Sequence, residues 1–203
     1  MVHCFSCMKK VLFIHGFNGS PEGRSFQALK EALPSGYCIE TIDYDQNDCR
    51  KALEQIRERI CSHRIDLVIG CSLGGFLALI SGSGCRFAVN PCYHPSEELP
   101  KLGAPSTMVD SYRAYENRLG LTEIEDRELV QGFFGDNDEL LGTKYLDLFQ
   151  NQYRYATVIS SSHHLTKEGA EAIFKDIDKY WERVERLDRY VQDVDNLPIY
   201  DYI

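Results

Sequence analysis

Residues 70–74 read Gly-Cys-Ser-Leu-Gly, and this stretch decides the fold. Its spacing matches G-x-S-x-G, a pattern in which the serine stands on a sharp turn between a strand and a helix. The flanking glycines have no Cβ atom, so the strand and the helix can approach each other closely. The pattern predicts that Ser72 projects its hydroxyl above a sheet as a nucleophile. The alternative is an ordinary glycine-rich turn with an idle serine.

The sequence on both sides of this stretch favours the first interpretation. Residues 65–69 are an apolar run typical of a strand buried on both faces, and residues 76–80 can pack as a helix beneath the sheet. Further strands are predicted at residues 11–14, 38–42, 87–89, 130–134 and 155–159. Helical segments lie between them, and this alternation indicates an α/β fold with a mostly parallel sheet and helices on both faces.

The ends and the spacing of several helices can also be predicted. Ser20-Pro21 fits an N-cap followed by a proline in the first turn, which predicts a helix to about residue 33. Helices are also predicted over residues 48–63 and 145–153. Apolar residues at helical spacing predict one long C-terminal helix, with a face formed by Ile173, Ile177, Tyr180, Val184 and Leu187.

The length of 203 residues fits a single domain over residues 1–203. Residues 1–9 are expected to form a loose N-terminal segment, and residues 190–203 a tail. Prolines and glycines break the regular pattern over residues 92–128, which predicts a short lid-like insertion over the sheet edge. Three tyrosines of this insertion are available to line a substrate pocket, although exposed or core positions are equally ordinary for tyrosine, namely Tyr93, Tyr112 and Tyr115.

The charge balance argues against two classes of partner. Asp and Glu number 31 against 22 Lys and Arg, which gives a formal net charge of −9. Nucleic acids and anionic membrane surfaces both attract clustered basic side chains, so neither is expected as a partner. No apolar run approaches the roughly 18 residues of a membrane span, and the first residues lack the apolar core of a signal peptide. A cytoplasmic location is therefore predicted, and the oligomeric state is left open.

Eight scattered cysteines do not form the compact framework of a small secreted domain, so reduced thiols in a cytoplasm are expected. Cys4 and Cys7 form a C-x-x-C pair, but no second pair or histidine cluster accompanies it. A loose terminal segment is favoured over a metal or redox site, and neither a metal nor a cofactor is predicted. Cys71 is expected to be buried and inert, because the turn directs only its central residue outward.

A serine hydroxyl needs a base that takes its proton and an acid that orients the base. In folds with this turn the partners follow in the order Ser, then Asp or Glu, then His. Asp138 follows the fifth predicted strand and His163 follows the last, at the sheet edge where ligands bind. Asp138 is favoured over Asp136 as the acid, and His163 over His164 as the base, with both rivals left open.

The oxyanion that forms on attack needs preorganised hydrogen-bond donors. One is expected from the backbone N–H of Leu73, directly after the nucleophile. The other is expected from the loop after the first strand, at the N–H of Phe17. His15 lies in the same loop and is predicted to hold it by a hydrogen bond rather than to act as a base.

Together these motifs resemble the YqiA-like family of small predicted esterases in the α/β-hydrolase superfamily. The resemblance rests on His-Gly-Phe-Asn-Gly-Ser-Pro at residues 15–21, Gly-Cys-Ser-Leu-Gly-Gly-Phe at 70–76, Val-Asn-Pro at 89–91, His-Pro at 94–95, Glu-Leu at 98–99, and the segments 135–139 and around His163. It implies a three-layer α/β-hydrolase fold without a cofactor, in which Ser72, Asp138 and His163 match the family triad. Three serines precede the histidine where the family tends to carry glycines, and the acid loop is a little longer, so His164 and Asp136 stay open.

The residues therefore predict a serine hydrolase that cleaves small-molecule carboxylic esters or thioesters of small acyl groups through an acyl-enzyme. Its activity is expected to fall as the pH drops through the pKa of the base, about 6.5 for an unperturbed histidine. Two alternatives are a non-catalytic binding protein on a hydrolase scaffold, and an acyltransferase or amidase that uses the same triad.

Overall fold

In the computed structural model the described residues are 8–82, 84–119 and 124–195, and within them six strands form one sheet. The strands are β1 (Lys9–Ile14), β2 (Tyr37–Thr41), β3 (Leu67–Cys71), β4 (Arg86–Val89), β5 (Val130–Asn137) and β6 (Tyr155–Ser162). Their order in the sheet is β2-β1-β3-β4-β5-β6, and every neighbouring pair is parallel. Each apolar run predicted as a strand overlaps one of them, so the prediction of a parallel sheet is confirmed.

Helices cover both faces of this sheet. They are α1 (Arg24–Ala32), α2 (Cys49–His63), α3 (Leu73–Ile80), α4 (Pro95–Glu98), α5 (Ser106–Arg113), α6 (Ile124–Leu129), α7 (Leu146–Gln152), α8 (Lys167–Phe174) and α9 (Ile177–Asp195). Leu12 and Ile14 of β1 belong to a buried cluster shared with α2 and α3. Val11 and Phe13 belong to a second cluster shared with α1, α8 and α9. Because successive side chains of a strand point to opposite faces, the two clusters make three layers, as predicted.

Helix α1 begins later than the sequence predicts. Ser20 and Pro21 lie in a turn that is closed by a hydrogen bond of 3.0 Å from the Gly23 N–H to the Ser20 carbonyl. Proline at the second position and glycine at the fourth suit a type I turn, which accounts for the same residues without a helix. The helix starts at Arg24, with Gly23 as an extended N-cap that offers no side-chain hydrogen bond. The prediction of a helix start at Ser20 is wrong.

The C-terminal apolar positions are divided between two helices, so the prediction of one long helix is wrong. Residues 175–176 separate α8 from α9. Ile173 before the break and Tyr180 after it pack in the same buried cluster. Because residues on both sides of the break pack in one cluster, the apolar spacing continues across residues 175–176. The spacing therefore does not reveal where α8 ends.

The two ends of the chain differ from their predicted extent. Lys9 begins β1, one residue inside the segment predicted to be loose. Residues 1–7, with the Cys4 and Cys7 pair, lie outside the described residues. At the other end α9 continues to Asp195, so the first part of the predicted tail is helical, and residues 196–203 lie outside the described part of the chain.

The described part of the predicted insertion is a set of short helices that pack on the body of the protein. Besides α4, α5 and the first part of α6, it contains 3-10 helices at Leu99–Leu102 and Glu116–Arg118. Met108 and Tyr112 of α5 are buried in the cluster formed by α2 and α3. The Cys49 N–H at the start of α2 donates a hydrogen bond of 3.2 Å to the Ser111 hydroxyl.

A buried carboxylate ties the insertion to the segment before α7. Glu98, only 7% exposed, accepts hydrogen bonds from Lys101 Nζ at 2.8 Å, Lys144 Nζ at 2.7 Å and the Tyr145 hydroxyl at 2.8 Å. Burial of the carboxylate raises its pKa, but the three donors outweigh burial and lower the pKa of Glu98 to about 2. The carboxylate therefore stays ionised beside its donors.

No helix within the described residues is long and apolar enough to cross a membrane.

Candidate active site

Ser72 occupies the strained turn that the sequence predicts. β3 ends at Cys71 and α3 begins at Leu73, and Ser72 between them has φ 55° and ψ −118°. A conformation of this kind costs about 1–3 kcal/mol in a residue other than glycine, so the surrounding structure must hold it. Two backbone hydrogen bonds do so, from the Ser72 N–H to the Val89 carbonyl (2.9 Å) and from the Cys92 N–H to the Ser72 carbonyl (3.0 Å).

The two glycines of the turn allow close contacts of backbone with backbone. A Cβ atom on Gly70 would lie 2.1 Å from the carbonyl oxygen of Gly74. A Cβ atom on Gly74 would lie 2.1 Å from the carbonyl oxygen of Ile14 in β1. Both distances are shorter than any real contact, so neither position accepts a larger residue without a shift of the backbone. The turn therefore needs the G-x-S-x-G spacing.

His163 and Asp138 form a buried pair at the same edge of the sheet. His163 directly follows β6 and Asp138 directly follows β5. Nδ1 of His163 lies 3.0 Å from each carboxylate oxygen of Asp138, and both residues are only 8% exposed. The other ring nitrogen, Nε2, is left to exchange a proton with a substrate or a nucleophile. His163 and Ser72 line the same cavity.

The environment of Asp138 favours its ionised form. Burial raises the pKa of the carboxyl, but the hydrogen bond to His163 and the N–H donors of Leu141 and Leu140 outweigh burial, and the pKa of Asp138 lies below its ordinary value. Both N–H groups are 2.9 Å from Oδ1. The negative charge is thus held next to the imidazole, where it can accept a hydrogen bond from Nδ1–H.

The two rivals named by the sequence lie in different surroundings. Asp136 is exposed, and its Oδ1 accepts hydrogen bonds from the Ser161 N–H at 3.2 Å and from Asn137 at 2.7 Å. His164 is also exposed, although it lines the rim of the cavity. Only Asp138 and His163 are joined to each other.

Two further residues hold the backbone of His163, and the sequence gives them no role beyond their place in the motifs at residues 89–91 and 135–139. Glu139 Oε2 accepts the His163 N–H at 3.1 Å. On the other side, Nδ2 of the buried Asn90 donates to the carbonyls of Ser162 (3.2 Å) and His163 (3.4 Å), while Asn90 Oδ1 accepts the Gly135 N–H at 2.7 Å. Asn90 thereby joins the ends of β5 and β6. Its φ of 43° is unusual for a residue other than glycine, and a sequence does not display this conformation.

The loop after β1 passes directly over Ser72. A Cβ atom on Gly16 would lie 3.0 Å from the Ser72 Cβ and 3.5 Å from its Oγ. Phe17, the next residue, lines the cavity. On the other side of the serine, the Leu73 N–H is in the first turn of α3, where amides have no acceptor inside the helix. The two predicted oxyanion donors thus come from the two segments that flank Ser72.

His15 holds this loop from below. It is 3% exposed, its Nδ1 lies 2.9 Å from the Gly16 carbonyl, and its ring packs on Tyr44 with 4.7 Å between centroids. The Tyr44 hydroxyl donates to the His15 carbonyl at 2.7 Å. Burial lowers the pKa of His15, so its imidazole is neutral near pH 7.

The cavity at Ser72 has a volume of about 250 Å³. Most of its wall comes from the loop after β1 and the start of α1, and from the described part of the insertion only Leu102 contributes. Tyr93 and Tyr112 are fully buried in the core and Tyr115 packs against it, so of the two roles that the sequence left open for these tyrosines, core and pocket wall, the structure shows the core. Large aromatic side chains bury much apolar surface in the core of a protein. The sequence pattern alone does not distinguish an aromatic residue of the core from one that lines a pocket.

The thiol beside the nucleophile is buried. Burial raises the pKa of Cys71 to about 12, so the thiolate is not formed near neutral pH. The cysteines of the described residues, Cys38, Cys49, Cys61, Cys71, Cys85 and Cys92, are free thiols. No group of three or more His, Cys, Asp or Glu side chains within the described part of the chain is placed to hold a metal ion.

The parallel sheet, the helices on both its faces and the strained serine turn define the α/β-hydrolase fold. A model of the uncharacterised protein family UPF0227 matches residues 10–188, and the chain belongs to this family, so the predicted YqiA-like membership is confirmed. Comparison with curated proteins finds no match.

Solved structures support the assignment of the fold. Est1E from Butyrivibrio proteoclasticus, with ferulic acid bound, is 16% identical with a TM-score of 0.66, covering 89% of this chain and 91% of that chain. Alpha/beta hydrolase domain-containing protein 10 from mouse is 16% identical with a TM-score of 0.65, covering 86% of this chain and 90% of that chain. The esterase domain of a Rhodothermus marinus protein is 16% identical with a TM-score of 0.61, covering 88% of each chain. At these identities the likeness shows the fold alone.

Proposed function

We propose that this protein is a serine hydrolase that cleaves carboxylic esters or thioesters of small acyl groups. The observation that carries the proposal is the buried His163–Asp138 pair, whose histidine lines the same cavity as a serine held at φ 55°. An ionised acid that orients an imidazole is what activates a serine hydroxyl. The solved structures of similar fold include proteins titled as esterases, which supports the same reaction class.

In the first half of the proposed reaction Ser72 Oγ attacks the carbonyl carbon of the substrate, and its proton passes to Nε2 of His163. The negative oxygen of the tetrahedral intermediate accepts hydrogen bonds from the N–H groups of Phe17 and Leu73. The bond to the alkoxide or thiolate then breaks, and His163 gives its proton to this leaving group. The acyl group remains bonded to Ser72 Oγ.

In the second half a water molecule attacks the acyl-enzyme, and His163 takes a proton from the water. The second tetrahedral intermediate releases the carboxylic acid, and the proton returns from His163 to Ser72 Oγ. Asp138 stays ionised throughout and stabilises the imidazolium form of His163. Acyl transfer or amide cleavage would share the first half, so product analysis with esters, thioesters and amides separates these reactions.

The size of the cavity favours small substrates. A volume of about 250 Å³ is just below the range of roughly 300–1,000 Å³ typical of ligand pockets. Leu102 and Leu140 line the cavity and are 45% and 50% exposed. Two exposed leucines at the mouth favour an ester with an apolar part.

Hydrolysis of p-nitrophenyl acetate tests the proposal. The wild-type protein is expected to release p-nitrophenol catalytically, and Ser72→Ala to lose the activity by a factor of about 10³ or more. Ser20→Ala is the matched control, because Ser20 lines the same cavity and is expected to keep the activity. A folded wild-type protein without activity, or an active Ser72→Ala variant, would contradict the proposal.

A further inference from the structure

The cavity at Ser72 has an uneven distribution of charge. Its walls are largely apolar or uncharged, with aromatic rings from Phe13, Phe17 and Phe26 and the two leucines at the mouth. Among the described residues that line it there is no Asp, Glu or Lys, and Arg24 is the one permanently charged side chain. This is unusual for a protein whose formal net charge is −9.

Arg24 has no structural use that accounts for its position. Its side chain is exposed and makes no hydrogen bond or ion pair to any part of the chain that the structure describes. It is also the first residue of α1, whose first turn has no acidic side chain. A cation at a helix N-terminus is disfavoured by the helix dipole, so the dipole does not account for an arginine here.

We propose that Arg24 binds an anionic group of the substrate, so that the protein prefers esters or thioesters that carry a carboxylate or a phosphate. This inference rests on the proposed function, because it assigns the substrate class of the same cavity. A guanidinium pairs with a carboxylate or phosphate through two parallel hydrogen bonds, and Arg24 has all its donors free for this. The apolar part of the substrate would then lie on Leu102 and Leu140.

The small cavity limits where the anionic group can be. A ligand that fits a volume of about 250 Å³ has its charged group within a few bonds of the ester. The group can be on the acyl side or on the alcohol or thiol side, and both need to be tested. The shared chemistry is an anion close to the scissile bond.

Two pairs of esters test the proposal. The p-nitrophenyl esters of hexanoic and glutaric acid differ by a carboxylate on the acyl side. The acetate esters of methyl 4-hydroxybenzoate and of 4-hydroxybenzoate differ by a carboxylate on the leaving group. In at least one pair Arg24→Gln is expected to lower kcat/KM for the anionic ester about fivefold or more, mainly through KM, and to leave the neutral ester within about twofold.

Two variants control for charge and folding. Arg24→Lys keeps the positive charge and is expected to recover part of the loss. Lys30→Gln removes the same charge from the same helix outside the residues that line the cavity, and is expected to change both members of each pair equally. A uniform effect of Arg24→Gln on anionic and neutral esters, or no effect in either pair, would overturn the inference.

The outcome also separates this inference from the proposed function. Labelling of Ser72 by a neutral fluorophosphonate reports the nucleophile without an anionic substrate. A protein that is labelled and hydrolyses the esters, but whose ester preference is independent of Arg24, contradicts the inference alone. A labelled protein that hydrolyses none of the four esters contradicts both the inference and the proposed ester hydrolysis. A folded protein that is not labelled contradicts the proposed function, and the inference falls with it.

Discussion

His163 Nδ1 lies 3.0 Å from both carboxylate oxygens of Asp138, and the side chain of that aspartate is fully shielded from solvent. Two other groups fix the backbone of the same histidine, Glu139 at its N–H and Asn90 at its carbonyl. The two contacts with Asp138 and the hydrogen bonds with Glu139 and Asn90 leave the imidazole little freedom to rotate. The proposed base is therefore positioned before a substrate arrives, which is the condition for an efficient proton transfer.

Replacement of the acid is expected to reduce turnover with little effect on substrate binding. Asp138→Asn removes the charge that holds the proton on Nδ1, so kcat is expected to fall by a factor of about 10³–10⁴, with KM within a few-fold. Steady-state kinetics with p-nitrophenyl acetate measure this. Asp136→Asn is the matched control two residues away and should keep most of the activity, since Asp136 contacts Ser161 rather than the imidazole. The reverse order of effects would assign the acid to Asp136.

Variants of the neighbouring histidines His163 and His164 test which of them is the base. His163→Gln is expected to abolish the pH-dependent activity, because no other imidazole of the described residues is bonded to the acid. His164→Gln should leave kcat within a few-fold, since His164 is exposed at the rim. Measured pH profiles of kcat/KM decide the question. If His164→Gln removes the acidic limb of the profile and His163→Gln does not, the assignment of the base is wrong.

Loss of the Asn90 side chain is expected to reduce both stability and activity. Asn90→Ala removes the side-chain acceptor of the Gly135 N–H and the amide donor to the Ser162 and His163 carbonyls, and alanine is poorly suited to a φ of 43°. The free energy of unfolding is expected to fall by about 2 kcal/mol. Urea denaturation measures this change in the free energy of unfolding. In the folded fraction, the fold-decrease in kcat is expected to be larger than the fold-increase in KM. Unchanged stability would show that Asn90 does not join β5 to β6.

The stability in acid is expected to depend on Glu98. Its pKa of about 2 lies below the ordinary value of 4.5, so the group stabilises the fold above the ordinary value, and this contribution is lost as the pH falls from about 4.5 towards 2. Glu98→Gln is expected to lower the free energy of unfolding at pH 7 by about 2 kcal/mol and to flatten its dependence on pH in that window. Glu97→Gln, at an exposed neighbour, serves as the control. Parallel curves for Glu98→Gln and the wild type would contradict this.

Much of the fold and the positions of the proposed triad could be predicted from the sequence. Strands buried on both faces are continuous apolar runs, and residues that follow parallel strands meet at one edge of the sheet. For that reason the order of Ser72, Asp138 and His163 was enough to predict their common location. The role of the glycines in the turn can also be predicted from the sequence, because close backbone contact excludes a Cβ atom.

Other features depend on three-dimensional packing. β5 and β6 change register between the Gly135–Ile159 and Asn137–Ser162 pairs, so β6 has one extra residue there, which sets the position of His163. No residue pattern marks such a shift. The same holds for Tyr112, whose periodic spacing is compatible with a core or a pocket, and for the turn at Pro21, whose residues suit a helix start as well as a type I turn.

The most direct test of the central claim is covalent labelling of the serine. Intact protein treated with a fluorophosphonate should gain one adduct, and peptide mass spectrometry should place it on Ser72. Ser72→Ala is expected to remain unlabelled, while Ser20→Ala, altered in the same cavity, should be labelled at the wild-type rate. A folded protein that is not labelled, or an adduct that persists in Ser72→Ala, would contradict the assignment of Ser72 as the nucleophile.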